Sequence, residues 1–105
     1  MREADTTTRA AARTEGAGLA EGVREELDDA GKYAGKARAR RETDAEEAAT
    51  YGRMAEEELQ HAANLCRMGQ MEADRSGDAA AKRIWDWEAR RMRAAEKRVR
   101  ETLEG

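Results

Sequence analysis

Glu58 and His61 stand three residues apart in the stretch from Met54 to Met68, MAEEELQHAANLCRM, and His61 is the chain's one histidine. On a helix that spacing projects both side chains to the same side, so a carboxylate oxygen and an imidazole nitrogen can reach one cation. Met54, Glu58, His61, Leu65 and Met68 follow at steps of four, three, four and three, the row expected of an inward face. Two ionisable groups in such a row cost free energy unless they are paired, hydrogen-bonded or bound to metal. The chemistry to weigh is therefore metal ligation against a buried polar pair that fixes the register of helices.

The elements that must position this pair are helical. The chain has 105 residues, 23 of them alanine, and no proline, while Leu, Ile, Val and Phe together number eight. Alanine is the strongest helix former, so an all-α domain with a thin core is expected, its core completed by homo-oligomerisation. Residues 1–16 hold three acids, three bases and a threonine run without apolar periodicity, and read as a mobile arm before a three-helix domain at 17–105. A first helix runs from Ala17 to about Arg41, with Leu19, Val23, Leu27, Ala30, Ala34 and Ala37 inward. Its acids lie early and its bases late, as the helix dipole favours.

Thr43-Asp44-Ala45-Glu46 has the form of a capping box opening the second helix, and a turn that short makes the first two helices an antiparallel hairpin. Counting outward from the turn sets Gly31 and Gly35 opposite Ala48, Ala49 and Gly52, a close small-residue contact. The same count brings Glu26 to Asp29 level with Glu58 and His61. The second helix runs to Met68 or beyond: Gly69 could stop it, but residues 70–75 are compatible with continuation, and the firmer break is Ser76-Gly77-Asp78, where Asp78 can cap a third helix to about Leu103. Its inward row is Ala81, Ile84, Glu88, Met92, Ala95 and Val99, again with a glutamate inside. From 42 to 75 the acids lead nine to three, and from 76 onward the bases lead eight to six, which suits packing of the third helix on the second or its symmetry mate.

With Glu26 from the first helix and Glu88 from the third, Glu58 and His61 make a carboxylate-rich set suited to iron, or less well to manganese. At these residues the chain resembles the ferritin-like and rubrerythrin-like di-iron proteins, whose helices carry a Glu and then Glu-x-x-His in each half of a four-helix bundle. The resemblance covers about 17–68 and is nearest to the short encapsulated-ferritin type, in which one hairpin supplies half a di-iron centre and a second subunit the rest. It implies Glu58 and His61 as the Glu-x-x-His ligands, Glu26 as the first-helix carboxylate with Glu25 or Asp29 as substitutes, and ferroxidase-type activity. The third helix and the lack of an evident encapsulation tail depart from that type. Trp85-Asp86-Trp87-Glu88 with Glu96 is also similar to short helical proteins of phage-derived genes, which implies no activity. The rival expectation is a non-enzymatic structural or interaction module.

Trp85 and Trp87 point nearly opposite ways on a helix, so one of them should meet a partner, and a homo-oligomer through the third helix and the Glu58/His61 face is expected. Arg90, Arg91, Arg93, Lys97, Arg98 and Arg100 follow, but interleaved acids and a net charge of −3 argue against nucleic acid. Cys66 cannot form an intramolecular disulfide and reads as a small core or interface residue, consistent with a reducing, cytoplasmic setting. No apolar run is long enough to span a bilayer, so no membrane partner is expected. Ser/His/Asp and Cys/His triads, phosphate-cradling glycine loops and paired-cysteine zinc patterns are absent from the sequence.

Overall fold

The computed structural model describes the backbone from residue 2 to residue 105 and side chains from residue 18 onward. The mobile-arm reading of residues 1–16 lies outside the residues whose side chains are described. The fold is all-α, with α1 (Arg2–Arg40), α2 (Ala45–Ser76) and α3 (Ala79–Glu104), and α1 packs against both other helices. The α1–α2 turn is one residue out of the expected register. Asp44, not Thr43, is the N-cap, its side chain accepting from the Glu47 backbone N–H at 3.0 Å. Arg40 and Glu47 bridge the turn at 2.9 Å. The second turn forms as expected: Gly77 takes a left-handed conformation (φ 69°) that a side chain would resist, and Asp78 caps α3 through Ala80 and Ala81.

Nine of the fourteen buried apolar residues among those described are alanines, so the helices approach closely over short side chains. The α1 row is the expected one, with Val23, Ala30, Ala34 and Ala37 buried and Leu19 and Leu27 packed at its edge. On α2 the buried row is Ala55, Leu59, Ala62, Cys66, Gly69 and Ala73, one residue along from the row anticipated. A single-residue shift turns a helix face by 100°. Small residues let α1 come close, and Glu58 and His61 are left on the flank, where water can cover them.

Two further expectations are corrected. Gly31, Gly35 and Gly52 do not mediate a close contact at the hairpin base: a Cβ at any of them would meet nothing within 4 Å. The intimate glycine is Gly69, where an added Cβ would fall 2.1 Å from the indole of Trp85. Trp85 is 2% exposed in its own chain's core and is not free to anchor a partner, whereas Trp87 and Ile84 are about half exposed. Ile84 thus leaves the inward row, and Trp85 and Ala89 take up the space.

Candidate metal site on the hairpin flank

The antiparallel hairpin makes Glu26 and the Glu58-x-x-His61 pair neighbours. His61 Nδ1 lies 3.7 Å from Glu26 Oε2 and 3.9 Å from Glu58 Oε1. One ligand atom from each of the three falls within 4.8 Å of the other two, the arrangement among the described residues that could hold a metal ion. The side chains are graded in exposure, Glu58 at 21%, Glu26 at 28% and His61 at 57%, so the imidazole is the outermost of the three. Glu26 Oε2 is shut off from solvent and has no hydrogen-bond partner.

The donor set fits a divalent transition metal. Bonds of about 2.1 Å to oxygen and nitrogen place adjacent ligand atoms roughly 3 to 3.5 Å apart, so the three groups, now within 4.8 Å of one another, would have to draw together around an ion. Those separations exceed hydrogen-bonding distance, and His61 is exposed, so within one chain Glu58 and His61 are not a buried hydrogen-bonded pair. Two carboxylates and one imidazole also leave coordination positions open towards solvent.

Glu88 does not join this set. Its carboxylate is buried, as its place in the inward row required, but it accepts from Arg24 Nη2 at 2.6 Å. Arg24 and Glu26 are two residues apart on α1 and point nearly opposite ways, so the helix separates Glu88 from the cluster. Glu25 and Asp29, the alternative α1 carboxylates, are exposed and outside the three-residue cluster. Cys66, buried behind Glu88, has its thiol pKa raised, first by burial and then by the Glu88 charge, partly offset by Arg93.

A neighbouring feature escaped the sequence reading. Tyr33 and Tyr51 stack with centroids 6.2 Å apart, and the Lys36 amine and Arg40 guanidinium lie over the Tyr51 ring at 5.5 and 5.0 Å. Tyr33 is seven residues after Glu26 and Tyr51 seven before Glu58, so the pair sits on the same flank two turns along the hairpin. That opposed heptad spacing was the available signal.

No helix of the described residues is long and apolar enough to cross a membrane. No protein-family model matches the chain, and no curated protein or solved structure shows significant similarity to it.

Proposed function

We propose that this chain is a ferritin-like iron-binding protein in which Glu26, Glu58 and His61 form half of a metal centre and a second copy supplies the other half. The observation that carries this reading is the convergence of two carboxylates and the only imidazole on one flank of the hairpin, with Glu26 Oε2 screened from water and lacking a hydrogen-bond donor. A buried carboxylate oxygen left without a donor is costly, and a cation would offset that cost. Fe(II) is the substrate the ligand set suits best, with Mn(II) second. Bound iron supplies electrons to dioxygen. The protein contributes two carboxylates that hold either oxidation state and an exposed imidazole that completes the sphere from the solvent side.

The test is Fe(II) titration of the purified chain, followed by metal stoichiometry and by the absorbance of the ferric product in air. Wild type is expected to bind and oxidise iron, and His61→Ala and Glu26→Gln to fall to background. Equal, background uptake in all three would leave the second reading, a non-enzymatic interaction module, which is favoured by the half-exposed Met68, Met71, Ile84 and Trp87 on a core built largely of alanine.

A further inference from the structure

The flank that carries Glu26, Glu58 and His61 faces away from α3. The pairs Arg24–Glu88 and Glu56–Arg100 hold α3 to the hairpin, and Arg24 and Glu56 each stand two positions from Glu26 and Glu58, nearly on the opposite sides of their helices. Along this open flank Leu19, Tyr33, Tyr51, Met54 and Leu65 are partly exposed and Met68 is 52% exposed. One end of the flank is a groove of about 550 Å³ lined by Leu19, Met68, Met71, Glu72 and Arg75. The other end is the Tyr33–Tyr51 stack, with the Lys36 amine over both rings. A hollow and a bulky aromatic pair thus share one face.

Both ends stand equally far from the three site residues. Leu19 is seven residues before Glu26 and Tyr33 seven after it, while Met68 is seven after His61 and Tyr51 seven before Glu58. Seven residues are two turns, about 10.5 Å. A two-fold axis through the three residues, lying in the plane of the flank and across the helices, sets α1 antiparallel on α1 of a second copy and α2 on α2, and exchanges the two ends. Met68 then comes level with Tyr51 of the second copy and Leu19 with its Tyr33. The outer charges agree. Arg75, fourteen residues beyond His61, comes level with Asp44 of the second copy, fourteen before Glu58, and Glu72 falls between the levels of its Lys36 and Arg40. An axis along the helices would instead lay the Lys36 end on itself, basic on basic.

We infer that the Leu19–Met68–Met71 groove is the receptor for the Tyr33–Tyr51 stack of an antiparallel second copy, the contact occurring twice about the axis. Thioether on aromatic ring and burial of Met54 and Leu65 supply the attraction, and the charged ends set the direction. The placement of the axis rests on the iron reading, since the same rotation brings the two sets of Glu26, Glu58 and His61 together. The test is disulfide trapping in the full chain carrying Cys66→Ala, with Mn(II) present and mild oxidation by diamide. A disulfide needs Cα atoms within about 7 Å. An equimolar mixture of Tyr51→Cys and Met68→Cys chains is expected to give a cross-linked dimer, and each variant alone to give none, because like positions lie about 25 Å apart. Met68→Lys, at a half-exposed position, should keep its helicity and lose the dimer boundary in sedimentation velocity. Cross-linking of Met68→Cys with itself, absence of the mixed cross-link, or unchanged sedimentation of Met68→Lys overturns the inference. A wild type that binds Mn(II) yet sediments as a monomer also overturns it and leaves metal binding within one chain standing. The mixed cross-link in a protein that takes up no metal supports the interface and ends the iron reading.

Discussion

Arg24 holds the Glu88 carboxylate at 2.6 Å, Nη2 to Oε1, with the carboxylate 2% exposed and the arginine side chain 52% exposed. The pair ties α1 to α3 in the middle of the bundle and fixes their relative level. It also keeps apart from Glu26, Glu58 and His61 an acid that the inward row of α3 seemed to offer them. Removing only the cation leaves a buried charge uncompensated, whereas replacing the acid by an apolar group of similar length removes the problem. Arg24→Ala is therefore expected to cost roughly 2–3 kcal/mol, reduced by the arginine's exposure, and Glu88→Met to be near neutral. Urea unfolding of the two variants decides it. Equal destabilisation would show that the pair acts as packing rather than as charge.

Gly69 and Gly52 both lie on α2 and should respond oppositely to alanine. At Gly69 the new methyl would enter the Trp85 indole, so the helices must separate or the ring must move, at about 1–3 kcal/mol. At Gly52 nothing stands within 4 Å, and Gly→Ala in an open helical position gains about 0.5–1 kcal/mol. Thermal melts give the signs. Red-shifted Trp85 emission should accompany the first substitution and not the second.

The Cys66 thiol, raised mainly by burial and further by the Glu88 charge, links folding to alkaline pH. The folded protein holds its thiol proton more tightly than the unfolded chain does. The contribution is complete below the unfolded thiol's ordinary range and is lost as pH rises through that range towards the folded value. Stability should thus decline on the alkaline side more steeply in wild type than in Cys66→Ala, as chemical denaturation over a pH series will show. Native Cys66 should also react sluggishly with a thiol reagent at pH 8. Rapid native-state labelling would contradict its burial.

A metal held by the folded state alone must stabilise it. Mn(II), which avoids oxidation in the assay, is expected at a hundredfold excess over its dissociation constant to add about 2.7 kcal/mol. EDTA should reverse the gain. His61→Ala should abolish it while leaving the metal-free midpoint within about 0.5 kcal/mol of wild type, since the imidazole is mostly exposed. An undiminished metal shift in His61→Ala would remove histidine from the site.

How much of this was legible beforehand follows from which forces act locally. The three helices, both breaks, the Asp78 cap and the antiparallel hairpin rest on alanine content, missing proline and turn chemistry, all properties of a few adjacent residues. The approach of Glu26 to His61 could be counted from the turn, because helical rise is constant. Which face of α2 turned inward could not be counted. Met54, Glu58, His61, Leu65, Met68 and Ala55, Leu59, Ala62, Cys66, Gly69 are both regular rows; the first has the larger apolar side chains but two ionisable groups, and the second is the more apolar as a whole. Packing preferred the second, because alanines and Gly69 admit α1 and the Trp85 ring at short range. Glu88 was correctly read as inward, but its partner, Arg24, was settled only when α3 docked beside α1. Periodicity along one helix thus determined that faces exist, while steric fit between helices decided which faces meet and left Glu26, Glu58 and His61 together on the flank.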